Sequence, residues 1–196
     1  MLAYKVDFCR LQAKHLEPQG YRPEAVSYHS TSLEGLSSFL LKKKKPNVLN
    51  LGPLTPGVFN LIGHTSPFLL NYDPAELPYQ EYLQLIENSP KSFDLILVWD
   101  RLLYLTYAES KKLLTVITNH SKSGSELLAY STVRHILPAI PSKFSLDANH
   151  NISVCPVTAE TKNCDNCEFA KLVEGWRCHH SVQLRNSFRE HLYIKT

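Results

Sequence analysis

Residues 47–57 read NVLNLGPLTPG. The apolar run NVLNL reads as a buried strand, and the glycine, two prolines and second glycine behind it mark a tight turn. The next stretch, PGVFNLIGH (56–64), reads as a short helix with proline near its start, where a missing amide costs least. Strand-to-turn junctions of this kind hold nucleotide cofactors in many α/β proteins, usually with more glycine and an acid at the end of the strand. Here prolines stand where flexibility is expected, and Asn50 stands where the acid is expected.

Outward from this junction, strand-like and helix-like patterns alternate. Upstream, Leu33, Leu36, Phe39 and Leu40 recur at helical spacing behind TSLE, in which Thr31 and Glu34 have the spacing of a capping box. Lys42 to Lys45 and Pro46 end that helix. Downstream, PFLLNY (67–72) reads as a second strand. Asp73-Pro74-Ala75-Glu76 then has the form of a helix start, followed by an apolar face of Tyr79, Tyr82, Leu83 and Ile86. FDLILVW (93–99) is apolar but for Asp94, as expected of a strand covered on both faces. Thr106 and Glu109 form a second capping-box pattern ahead of Leu113, Leu114, Val116 and Ile117, and ELLAYST (126–132) reads as a further strand. Such alternation predicts an α/β fold with a mostly parallel sheet flanked by helices. The chain closes on two β-like runs around residues 185–187, a C-terminal antiparallel hairpin. Residues 1–30 and 133–173 are weakly patterned, with NISVCPV as a small strand in the second. We read 1–196 as a single domain with an N-terminal lid or appendage and an insertion at 133–173.

Composition narrows the function classes. At 196 residues with 43% hydrophobic and 20% charged side chains, the chain can bury one sizeable core. A net charge of +3 falls short of a nucleic-acid footprint, so nucleic acid is not an expected partner. The apolar run Leu95 to Trp99 is too short to span a bilayer. MLAYKVDFCR lacks the apolar segment of a secretory signal, so a cytoplasmic protein is expected. Five cysteines then read as free thiols. Cys164 and Cys167 have the two-residue spacing of a zinc ribbon. Cys178, beside His179 and His180, lacks a matching knuckle, and Cys155 lies nine residues before Cys164, so no resident zinc is expected.

Three segments carry a family resemblance. VLNLG (48–52) resembles motif I of the class I S-adenosylmethionine-dependent methyltransferases. SFDLILVWDRLLYL (92–105) is similar to that family's fourth-strand segment, and GWRCHHSVQLRNSFREHLYI (175–194) looks like its closing hairpin. The glycine-proline turn, FDLILVWD and the final LRN with E-x-L look like a divergent bacterial branch of small methyltransferase-domain proteins. The resemblance covers about residues 31–132 and 174–196. It implies a Rossmann-like fold, S-adenosylmethionine as cofactor, and a small molecule or protein as methyl acceptor. Only about twenty residues separate the second strand from FDLILVW, so the family's third strand is expected to be missing.

Because ligands of doubly wound sheets sit outside the carboxyl ends of the strands, the resemblance nominates residues there. Asn50, Gly52, Pro53, Gly57, Asn71, Asp73 and Trp99 are the cofactor-side candidates. Asp73 reads equally as a ribose-binding acid and as a helix cap. Asp100 is the catalytic candidate, a carboxylate that would orient or deprotonate the acceptor. Arg101, Tyr104, Arg134 and His135 are the substrate-side candidates. No Asn/Asp-Pro-Pro-aromatic signature follows FDLILVW, which argues against methylation of planar amide or base nitrogens by that device. With its acid replaced by Asn50 and its glycines largely replaced by Pro53, Leu54, Thr55 and Pro56, the motif admits an alternative: a methyltransferase-fold protein without catalysis, acting as a binding or interaction partner.

Overall fold

The computed structural model describes residues 26–43, 45–63, 68–72, 77–132, 136–138, 143–147, 151–155, 161–163, 172–184 and 188–196. In chain order the elements are β1 (Val26–His29), α1 (Thr31–Lys42), β2 (Asn47–Asn50), α2 (Pro56–Gly63), β3 (Phe68–Asn71), α3 (Tyr79–Glu87), β4 (Phe93–Trp99), a 3-10 turn (Arg101–Tyr104) and α4 (Tyr107–Asn119). There follow β5 (Ser121–Thr132), β6 (Ile136–Pro138), β7 (Lys143–Leu146), β8 (Asn151–Cys155), β9 (Thr161–Asn163), β10 (Trp176–Gln183) and β11 (Phe188–Lys195).

Six strands form the main sheet in the order β10-β11-β5-β4-β2-β3. β3, β2, β4 and β5 are mutually parallel, and β11 and β10 add an antiparallel pair at one edge. The fold is therefore the mostly parallel α/β sheet with a C-terminal hairpin that the patterning predicts, and it is Rossmann-like as the resemblance implies. β3 is an edge strand, and among the described residues nothing pairs outside it, so the expected third strand of a methyltransferase sheet is absent there.

Period-two alternation in the central strands sorts the core into two layers. Val48, Leu95, Leu97 and Leu128 pack under α1 and α2 with Leu33, Leu36, Leu40, Val58 and Ile62. Leu49, Ile96, Val98, Leu127 and Ala129 pack on the other side against Tyr82, Leu83 and Ile86 of α3 and Leu113, Leu114 and Ile117 of α4. β4 serves both layers, which explains its apolar run from Leu95 to Trp99.

Helix ends follow local chemistry. The Thr106–Glu109 capping box forms as predicted, with both of its hydrogen bonds made. At α1 the cap is Ser30, whose Oγ accepts from the Leu33 amide, so the predicted Thr31–Glu34 box is displaced by one residue. Glu34 turns outward to His29, Nε2 to Oε2 3.3 Å. The third helix starts at Tyr79 behind Pro78, later than the predicted start beside Asp73, which lies outside the described residues. β5 begins at Ser121 rather than 126. Gly124, at φ 79°, lies within the strand, and Ser125 Oγ bonds the Phe93 carbonyl at 2.8 Å beside a register shift in the β4–β5 ladder.

A second, three-stranded sheet, β1-β8-β7, lies against the first core layer through Tyr28, Phe144, Leu146 and Ile152. β7 runs so close to α2 that a Cβ on Gly57 would sit 1.4 Å from the Leu146 carbonyl oxygen. This small sheet thus covers the start of α2, the helix that follows the glycine turn. No helix among the described residues is long and apolar enough to cross a membrane.

Candidate active site at the strand ends

The chain leaves β2 for β3 on one side and later returns to β4 on the other, so the sheet's switch point lies between the carboxyl ends of β2 and β4. Open α/β sheets place ligands in that crevice. Asn50 ends β2, Asn71 ends β3, and Trp99 ends β4 with Asp100 next to it. The structure therefore brings together most of the predicted cofactor-side residues.

It brings them together by bonding them to one another. Asn50 is fully buried. Its Nδ2 donates to the Gly52 carbonyl at 2.9 Å and to Asn71 Oδ1 at 2.6 Å, and its Oδ1 accepts the Trp99 indole N–H at 2.7 Å. Both amide hydrogens are committed inside the protein, which leaves Asn50 no donor for a ligand. The Trp99 ring lies directly over the glycine turn: a Cβ on Gly52 would be 2.6 Å from Trp99 Cδ1 and 2.9 Å from Nε1. Phe144 of β7 stacks against the indole with centroids 5.2 Å apart, and Tyr130 lies parallel at 6.1 Å. The turn itself runs into α2 through local bonds, Thr55 N to Pro53 O at 3.0 Å and Phe59 N to Thr55 O at 2.9 Å.

S-adenosylmethionine is the cofactor that the sequence resemblance implies, and the placement of these groups tests whether it fits. Close backbone approach at Gly52 is what a bare glycine provides. Here the indole already uses that approach, and β7 covers Gly57. In this arrangement the residues do not admit the cofactor's methionine end.

Asp100 is buried, with φ −92° and ψ 10°, a conformation common among active-site residues. Its carboxylate makes no cap to the 3-10 turn that follows. Arg101 is buried too, and its Nε donates to the Leu51 carbonyl at 3.3 Å, which ties the end of β4 to the end of β2. Tyr104 packs, partly buried, against the first core layer. Asp73, Arg134, His135, Cys164 and Cys167 lie outside the described residues, as does the side chain of Cys155. Cys178 is an exposed free thiol, and among the described residues no three His, Cys, Asp or Glu side chains are grouped to hold a metal ion.

Beside Asp100 lies a polar cluster that the patterning did not nominate as a site. Glu190 of β11 is buried. Its carboxylate accepts the Tyr130 hydroxyl at 2.7 Å, the Ser30 hydroxyl at 2.7 Å and, at 3.4 Å, the Ser32 amide. The Tyr28 hydroxyl is buried next to Tyr130 without a hydrogen bond of good geometry. Burial pushes both phenols upward, with the Glu190 carboxylate adding to the effect, so both remain protonated donors. One signal could have found Glu190. Phe188, Glu190 and Leu192 share the inward face of β11, which puts an acid on an apolar stripe. Tyr130 was noticeable only for its place on β5.

Comparison with known proteins bears on the fold. No family model and no curated relative matches the chain. Among solved structures it is similar to the N-methyltransferase NodS from Bradyrhizobium japonicum WM9, at 17% identity and a TM-score of 0.50 over 84% of this chain and 93% of that one. An S-adenosylmethionine-dependent methyltransferase from Mesorhizobium loti gives 12% identity and a TM-score of 0.50, covering 83% and 96%. At such identities the likeness establishes a class I methyltransferase fold.

Proposed function

We propose that the chain is an S-adenosylmethionine-dependent methyltransferase of the class I type, acting on a small molecule or a protein in the cytoplasm of a bacterium. The observation that carries this reading is topological. The strand order, the switch point and the strand-turn-helix junction at residues 47–57 together make the carboxyl edge of the sheet a ligand end. On this reading the Gly52 to Gly57 backbone and Asn71 would face the cofactor only once the Trp99 indole has left Gly52. Asp100 orients the acceptor, and the chain's contribution is chiefly positioning. A cofactor bound there would supply an electrophilic sulfonium methyl group. The pairing of β1 with β8 supports a single domain in which residues 1–30 are a lid or appendage and 133–173 an insertion.

A second reading has its own observation. Asn50 is saturated by internal bonds and the indole covers Gly52. A protein that had given up the cofactor would be built this way and would work by binding a partner. Calorimetric titration of the purified chain with S-adenosylmethionine and S-adenosylhomocysteine separates the two. Binding that is lost in Gly52→Val supports the enzyme. Absence of both heat and thermal shift at millimolar ligand overturns it in favour of the cofactor-free protein.

A further inference from the structure

The misfit at the strand ends centres on one side chain. Trp99 has φ 56°, one of two non-glycine residues at positive φ among the described residues. That conformation is strained for a bulky residue and persists only where the surroundings enforce it. Three contacts do so: the indole N–H bonded to Asn50 Oδ1, the Phe144 ring stacked at 5.2 Å, and the Tyr130 ring parallel at 6.1 Å. They come from three separate elements, β2, β7 and β5. The strained backbone aims the ring across the carboxyl end of β2 onto Gly52, within 2.6 Å of where a Cβ would be. Trp99 shares the inward face of β4 with Leu95 and Leu97 and belongs to the same buried layer, and from there its indole reaches over Gly52 at the end of β2.

We infer that the Trp99 indole is a resident occupant of the cofactor crevice, so that occupancy by the indole and by an adenosyl ligand are mutually exclusive. The inference rests on the crevice being the ligand end, as proposed above. Ligand entry requires the ring to leave Asn50, Phe144 and Tyr130. Because Phe144 belongs to β7, that departure loosens the small sheet that covers α2. The closed form therefore lowers apparent affinity by the fraction of molecules in which the ring has moved. Asn50, once released from the indole, regains a free acceptor at the end of β2.

The test uses S-adenosylhomocysteine on the full chain. By calorimetry, Trp99→Ala and Trp99→Leu are expected to bind it about tenfold to a hundredfold more tightly than wild type, as two ring stacks and one hydrogen bond are removed. The chain contains two tryptophans. In Trp176→Phe, emission therefore reports Trp99 alone, and saturation should shift it to the red as the ring leaves its dry stack. Equal affinity in wild type and the Trp99 variants overturns the inference, as does saturation without an emission change. Should Trp99→Ala fail to fold, Trp99→Leu and the emission titration decide. Failure of wild type to bind, with binding gained in the variants, supports the inference while overturning the methyltransferase reading. Wild-type binding unchanged by the substitutions does the reverse. If neither binds at millimolar ligand, both are overturned.

Discussion

Gly57→Ala is the substitution whose cost follows most directly from the coordinates. An added Cβ would lie 1.4 Å from the Leu146 carbonyl oxygen, 2.3 Å from its carbonyl carbon and 2.8 Å from its Cα. All three are backbone atoms of β7, so no rotamer change relieves the clash. The strand must move by about 2 Å to restore contact distances near 3.5 Å. Moving it unseats Phe144 and Leu146, which are 2% and 7% exposed. Overpacking alone costs about 1–3 kcal/mol, and partial exposure of two such side chains adds about 1–2 kcal/mol more. Together these give an expected loss of about 2–5 kcal/mol. Gly35→Ala is the matched control. Gly35 lies on the exposed face of α1 with no atom within 4 Å of its added Cβ. There the same methyl group should stabilise by about 0.5–1 kcal/mol, through helix propensity. Urea denaturation of both variants measures the difference. Hydrogen exchange should show faster opening confined to β7 and β8 in Gly57→Ala. A Gly57→Ala protein as stable as Gly35→Ala would refute the claim that β7 is seated on the first turn of α2.

Two further perturbations probe the buried polar groups. Tyr130→Phe removes a donor from the Glu190 carboxylate while leaving the charge buried, an expected loss of about 1–3 kcal/mol in urea denaturation; a change under about 0.5 kcal/mol would show that Glu190 is hydrated or repartnered. The second concerns pH. Burial raises the Glu126 carboxyl from 4.5 to about 7, opposed weakly by Lys43. Its folded form holds the proton longer than its unfolded form, so stability falls as pH rises from about 4.5 to 7. Burial, with Arg189 nearby, lowers His191 from 6.5 to about 4, so its stability contribution falls as pH drops from about 6.5 to 4. The two slopes oppose each other between pH 4.5 and 6.5. The full Glu126 displacement corresponds to about 3 kcal/mol, which partial exposure reduces to about 1 kcal/mol. Glu126→Gln should therefore be about 1 kcal/mol more stable than wild type at pH 8, match it near pH 5, and uncover the rise with pH due to His191. An unchanged pH profile in Glu126→Gln would contradict this assignment.

The elements readable from local pattern are those whose burial is set by neighbours along the chain. β4 is covered on both faces and is apolar at nearly every position. α4 carries its start signal within four residues, Thr106 to Glu109, and needs no distant partner to be recognised. That Asn50, Asn71, Trp99 and Asp100 would lie together was legible because strand ends in a doubly wound sheet converge, and the strands themselves could be read. What those residues do to one another was not legible. Ser30 shows why: it caps α1 instead of Thr31, and its hydroxyl is held by Glu190, 160 residues away. No spacing rule reports a contact of that length. Of the small sheet of β1, β7 and β8 only β8 was announced, by NISVCPV, and the pairing that makes it a sheet escaped for a related reason. Its strands are four, four and five residues long, too short for alternation to stand out, and they are defined by pairing across more than a hundred residues between β1 and β8.

By itself, then, the amino-acid order determined the parallel α/β sheet, its closing hairpin and the convergence of its strand ends. These follow from periodicity, turn chemistry and chain length, all of which act locally. Tertiary structure alone decided what occupies the space at those ends. The left-handed backbone at Trp99, the commitment of the Asn50 amide and the seating of β7 on Gly57 depend on rings and carbonyls delivered from β2, β5 and β7 at once. Proline in NVLNLGPLTPG announced an altered loop, but only packing shows that an indole lies over its glycine.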